Sequence, residues 1–82
     1  MYMKFEYYVF FEIEVAKLDK IISELMNIPQ LKELVLITGQ YDLIAKFETE
    51  NPEELRKVLV ETISSIPGVK HTVTATVIER YR

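Results

Sequence analysis

LKELVLITGQYDLIAKFE, residues 31–48, decides the fold. Residues 31–38 and 41–48 are both rich in apolar and β-branched side chains. Only Gly39 and Gln40 stand between them, so the stretch reads as a β-hairpin in which Gly39 supplies positive φ at the first central position. A tight turn of this kind exposes backbone N–H groups beside the carboxylate of Asp42. Donors and an acceptor that close together suit a small zwitterion such as a free amino acid, whose carboxylate and ammonium need opposite partners. The plainer reading is that Gly39 only turns the chain and Asp42 only hydrogen-bonds the turn.

Upstream of the hairpin, residues 7–14 are aromatic and β-branched and predict a first strand. Leu18, Ile21, Ile22, Leu25 and Met26 follow at helical spacing, with Lys17, Asp19, Lys20 and Glu24 on the other side, and the amphipathic helix ends before Pro29. Downstream, Asn51 as N-cap, Pro52 at the first helical position and Glu53 and Glu54 in the first turn start a second helix. Its apolar stripe is Leu55, Val58, Leu59, Thr62, Ile63 and Ile66. Pro67 and Gly68 stop it, and residues 69–79 alternate as a fourth strand. Ile28-Pro29-Gln30-Leu31-Lys32 is echoed by Ile66-Pro67-Gly68-Val69-Lys70, 38 residues on, so each half of the chain is a β-α-β unit. The expected fold is α+β and ferredoxin-like: βαββαβ, a four-stranded antiparallel sheet with two helices on one face.

Two helices cover only one side of such a sheet, and the period of two says what the other side carries. Val9, Phe11 and Ile13, then Leu43, Ala45 and Phe47, then Val73, Ala75 and Val77 are expected to face the helices. That leaves Tyr8, Phe10, Glu12 and Glu14, then Asp42, Ile44, Lys46 and Glu48, then Thr72, Thr74, Thr76 and Ile78 on the open face, with Glu12 and Lys46 as a possible cross-strand pair. An open face containing Tyr8, Phe10, Ile44, Thr76 and Ile78 is apolar enough to predict an interaction surface, and sheet-on-sheet packing in a two-fold dimer uses the same patch twice. At 82 residues a chain buries only roughly 60% of its unfolded surface, which favours self-association.

Composition excludes several classes of function. There is no Cys, hence no disulfide framework, thiolate metal site or Cys nucleophile. The single His, His71, lacks His or Cys partners for a metal and is expected on the edge strand, so no metal and no cofactor are expected. The formal charge of −3 argues against direct nucleic-acid binding. No run approaches the ~18 apolar residues of a membrane span, and Met1 to Glu6 lack the apolar core of a signal peptide, which predicts a soluble cytoplasmic protein with no membrane partner.

With these elements in place, Thr38-Gly39-Gln40-Tyr41-Asp42-Leu43 resembles the T-G-x-Y-D hairpin of the Lrp/AsnC (feast/famine) transcription regulators, and Ile66-Pro67-Gly68-Val69 followed by Thr72-Val73-Thr74 resembles their I-P-G-V-x-x-T-x-T strand. The resemblance is to the effector-binding (RAM) domain of that family and covers essentially residues 7–79. It implies dimerisation through the sheet, assembly into higher rings that are often octameric, and an amino-acid effector held between neighbouring dimers. By the same resemblance Thr38, Gly39, Gln40 and Tyr41 would shape the effector loop, Asp42 would meet the ammonium, and Thr72 and Thr74 would offer hydroxyls. About six residues precede the first strand, too few for the family's helix-turn-helix module, so a single stand-alone effector domain over residues 1–82 is expected. Such a domain would bind an amino acid, co-assemble with full-length regulators of the family, or do both.

No catalytic residue is expected. Ser64 and Ser65 lie at a helix end without a base, and Glu12, Glu14 and Glu48 read as surface pairs. RNA-recognition domains share the element order and stack bases on open-face aromatics, but Glu12 and Glu14 would repel phosphate. Acylphosphatases need an Arg where this chain has Glu14-Val15-Ala16. Two alternatives stay open: a small dimeric α+β-barrel enzyme of the monooxygenase or decyclase kind, and a purely structural partner without ligand.

Overall fold

A computed structural model describes residues 4–82; the leader reading of Met1 to Met3 lies outside them. The chain runs β1 (Phe5–Ile13), a single 3-10 turn, α1 (Leu18–Met26), β2 (Leu31–Leu36), β3 (Leu43–Thr49), α2 (Pro52–Lys57), a π-helical segment Val58–Thr62, a second 3-10 turn and β4 (Val69–Thr76). All pairings are antiparallel and the strand order is β2-β3-β1-β4, the ferredoxin-like arrangement expected.

The core lies between sheet and helices. Tyr7, Val9, Phe11 and Ile13 of β1 and Leu43, Ala45 and Phe47 of β3 are buried against Ile21 and Leu25 of α1 and Leu55, Val58 and Ile63 of the second helical stretch. The faces expected for β1 and β3 are therefore the observed ones. The second helix starts as its residues dictate: the Asn51 side chain accepts from the Glu54 N–H at 2.9 Å, with Pro52 just inside. It then widens. The Ile63 N–H donates to the carbonyls of both Leu59 and Val58, and five-residue spacing puts Val58 and Ile63 on the buried side together. That wider turn carries Thr62 out to solvent and leaves Leu59 only partly buried, so the stripe expected from a regular 3.6 period is corrected at Thr62.

Two further expectations are corrected. The hairpin is not a two-residue turn, because β2 ends at Leu36 and β3 begins at Leu43. The Ile37 N–H donates to the Asp42 carbonyl, closing a loop over residues 38–41 with Gly39 at φ +139°. The second correction concerns β4. Glu12 pairs with His71 but Ile13 pairs with Val69, so Lys70 is an extra residue, a β-bulge. An inserted residue reverses the parity of everything after it. Thr72, Thr74 and Thr76 stand opposite Phe11, Val9 and Tyr7, on the helix side, whereas Val73 and Ala75 stand opposite Phe10 and Tyr8 on the open face. Thr76 is thus not an open-face residue, and Ile78 lies beyond the strand, which stops at Thr76 rather than Glu79.

Gly68 supplies the close approach that seats β4 against α1. It has φ +98°, its carbonyl accepts from the Glu14 N–H, and a Cβ there would lie 2.9 Å from the Lys17 Cβ and 3.0 Å from the Ile21 Cδ1. Gly39 has open space around it. Gly39→Ala is expected to incur only backbone strain, about 1–3 kcal/mol. Gly68→Ala adds displacement of α1 and is expected to cost clearly more; equal losses in urea unfolding would contradict this packing role.

Candidate functional site

The loop between β2 and β3 is held at two points. The Asp42 N–H donates to the Phe11 carbonyl at 2.8 Å, and the Asp42 Oδ2 accepts from the Ile13 N–H at 2.9 Å, where the strand pairing of β1 with β3 has just ended. The carboxylate thus takes the place of a missing ladder acceptor. Tyr41 packs its ring on Phe10, centroids 5.7 Å apart and planes tilted by 52°, an arrangement that ring quadrupoles favour. Thr38, Gly39 and Gln40 are exposed, and Tyr41 and Asp42 are half-buried. The structure therefore brings Thr38, Gly39, Gln40, Tyr41 and Asp42 together as one loop. The plainer reading of Asp42 holds in part, since one carboxylate oxygen has a structural partner, on β1 rather than in the turn. A carboxylate keeps further lone pairs for a donor from outside.

Thr72 and Thr74 are elsewhere. Phe11 pairs with Leu43 on one side and Thr72 on the other, so two strand spacings, roughly 10 Å, separate Thr72 from the start of β3. Thr72 lines a cleft of about 330 Å³ with Leu59, Ile63, Ser64, Lys70 and His71. His71 is exposed and stands opposite Glu12. One chain does not bring the two threonines to the Asp42 loop.

The open face falls into two ends. Phe10, Ile44, Val73 and Val35 form an apolar row, with Val35 49% and Val73 39% exposed. Beside it Lys46, opposite Tyr8 and Glu33, reaches Glu6 Oε1 at 2.8 Å, Glu48 Oε2 at 3.4 Å and Glu33 Oε2 at 3.9 Å. The Glu12–Lys46 pairing expected from sequence is corrected: the β1–β3 register sets Lys46 against Tyr8, which makes Glu6 its diagonal neighbour and leaves Glu12 four residues further along. Arg80 completes the network with Nη2 2.7 Å from Glu6 Oε1 and 3.3 Å from the Tyr8 hydroxyl. Hydrogen bonds from Arg80, then from Lys46, lower the Glu6 carboxyl to about 2 from its ordinary 4.5, and Glu6 in turn raises both cations. Sequence reasoning missed this cluster, because Glu6 and Arg80 are 74 residues apart. It also missed a second cleft of about 320 Å³ between α1 and α2, lined by Asn27, Ile28, Pro29, Glu54 and Val58.

Among the described residues the one buried polar side chain is Thr49, whose hydroxyl donates to the Asn51 carbonyl, and no group of three or more His, Asp or Glu is arranged to hold a metal. No helix among them is long and apolar enough to cross a membrane.

Comparison with known proteins agrees with this geometry. A family model described as the Lrp/AsnC ligand binding domain matches residues 6–82. The HTH-type transcriptional regulator FL11 of Pyrococcus horikoshii is 33% identical over 75 residues, which cover 92% of this chain and 49% of FL11. The chain spans about half the length of the FL11 relatives it matches. Among solved structures, TTHA0845 from Thermus thermophilus has TM-score 0.88 at 27% identity, covering 95% of this chain and 98% of that one. The transcriptional regulator NMB0573 of Neisseria meningitidis, solved as an L-Met complex, has TM-score 0.89 at 12% identity, covering 95% and 52%, a likeness of fold alone.

Two measurements check the site's geometry. Asp42→Ala leaves the Ile13 N–H without its acceptor and is expected to cost about 1–3 kcal/mol with no ligand present, whereas Asp42→Asn retains an acceptor oxygen and most of the stability. Equal unfolding midpoints for the two variants would refute the bond. Glu6 has a folded pKa below its unfolded value, so its contribution is complete above pH 4.5 and is lost as pH falls from there through about 2. Glu6→Gln should flatten that part of the acid-denaturation curve, and an unchanged curve would count against the network.

Proposed function

Because the chain belongs to the Lrp/AsnC ligand-binding-domain family, we propose that it is a non-catalytic effector domain that self-associates, binds a small amino acid between copies and acts on transcription indirectly. The observation that carries the reading is the division of the candidate site. The loop of Thr38, Gly39, Gln40, Tyr41 and Asp42 lies on one side of β1, and Thr72 and Thr74 lie across it on the helix side. A ligand touching both sets needs a second chain to supply one of them. In that arrangement Asp42 offers its remaining lone pairs to the ammonium, and the threonine hydroxyls of the other copy meet the ligand's polar end.

The copies join, in this reading, through the open face, by Tyr8, Phe10 and Ile44 together with Val73 and Val35. Dimers then assemble further into a higher ring, an octamer being a frequent form in the family by resemblance. The domain works in the cytoplasm, without binding DNA itself, and co-assembles with full-length Lrp/AsnC-type regulators. The L-Met complex of NMB0573 makes an amino acid the first ligand class to try.

Light scattering after size exclusion should give a dimer or larger species, and Ile44→Asp should reduce it to a folded monomer. Calorimetry with a panel of the twenty amino acids should find at least one that binds. Asp42→Asn, which retains the fold, should weaken that binding by roughly tenfold or more. A wild-type monomer, or no heat from any amino acid at millimolar concentration, would overturn the proposal.

A further inference from the structure

The last six residues are anchored and yet apolar where they meet water. The β4 ladder stops at Thr76, after which the Val77 N–H donates to the Glu6 carbonyl at 2.9 Å. The chain then brings Arg80 back over the sheet: Nε lies 3.1 Å from both Glu6 carboxylate oxygens, Nη2 2.7 Å from one of them and 3.3 Å from the Tyr8 hydroxyl, and Nη1 donates to the Arg82 carbonyl at 3.2 Å. On either side of this anchor Ile78 is 97% exposed and Tyr81 90% exposed, the two most exposed of the large apolar side chains described.

Ordering six residues costs conformational entropy, and an exposed arginine–carboxylate pair returns little of it in water. Ile78 and Tyr81 return nothing while solvent surrounds them. Both gain if a second molecule covers them. We propose that the segment 77–82 is a clasp that seats Ile78 and Tyr81 on a second copy of this chain, with Arg80 setting its direction. The inference rests on the reading that the chain self-associates through its open sheet face.

Three observations select a second copy as the occupant. The anchor residues Glu6 and Tyr8 belong to the open face itself, so the clasp is continuous with the surface proposed to pair. That face offers an apolar row of Phe10, Ile44, Val73 and Val35 for apolar side chains to rest on. The charged end is neutralised within one chain, since Glu6 is shared by Lys46 and Arg80 and Lys46 also holds Glu48. A twin face laid against that end therefore meets charges that already have partners, which lowers the cost of covering them.

Sedimentation equilibrium on the full chain tests the clasp, comparing wild type with the double variant Ile78→Ser/Tyr81→Ser, with Arg80→Ala and with Ile44→Asp. Far-ultraviolet circular dichroism checks that each is folded. The expected result is a folded double variant whose dimer dissociation constant rises by roughly tenfold or more, with Arg80→Ala moving the same way. Tail variants that associate as tightly as wild type, while Ile44→Asp dissociates, would overturn the clasp and leave the sheet-face reading standing. Association unaffected by Ile44→Asp, or a wild-type chain that stays monomeric, would overturn the sheet-face reading and the clasp with it.

Discussion

The pairing of β1 with β3 on one side and with a bulged β4 on the other governs what each face of the sheet can do. Phe11 fixes both registers, standing between Leu43 and Thr72, and one extra residue at Lys70 then sets the parity of the whole edge strand. With the bulge, three threonines turn toward the helix side and Val73 joins Phe10 and Ile44 on the open face. The open face thereby becomes more apolar than strict alternation would make it, and the hydroxyls leave the surface on which sheets would pack. A polar row there would have to find partners on a second sheet or be covered unsatisfied, at a cost that the bulge avoids.

Charge on the same face is handled differently. Lys46 has 12% of its side chain exposed and three carboxylates within 4 Å, while Glu6 is held by two cations, so the group that would be costly to cover is already surrounded by partners. Such a cluster contributes little by itself at a wet surface, because exposed ion pairs are screened and entropically expensive. Its larger consequence is directional. It ties the start of β1 to the end of the chain and leaves the apolar row beside it as the part of the face with surface left to bury.

How much of this could be read from residues alone follows from the range of each interaction. The Asn51 cap, the burial of Val9, Phe11, Leu43 and Phe47 and the element order are local or strictly periodic, and all are as the sequence implies. The face of β4 was misjudged because a bulge leaves no mark in a run such as Val69 to Thr76, where Val and Thr suit either side of a pleat. The widened turn at Val58 was hidden for a similar reason: apolar residues at both 58 and 59 and at both 62 and 63 would tolerate either period if Thr62 counts as apolar. Lys46 was given the wrong carboxylate since register, which a single strand does not encode, chooses between Glu6 and Glu12. The sequence names the candidate site residues but not their places: β1 lies between the two threonines and the loop, and the bulge turns the threonines to the helix side.

That separation has a consequence for how a ligand and self-association would communicate. Tyr41 is in the candidate effector loop, and its ring rests on Phe10, which belongs to the open face. Asp42 is tied to the end of the same strand through the Ile13 N–H. On the proposed reading, a ligand that repositions either residue alters the surface that Phe10 presents to a second copy. Coupling of two binding events is reciprocal, so a second copy that fixes Phe10 must alter the affinity of the loop by the same factor. On that reading, the contact of Tyr41 with Phe10 would be the link through which a bound ligand and self-association affect one another.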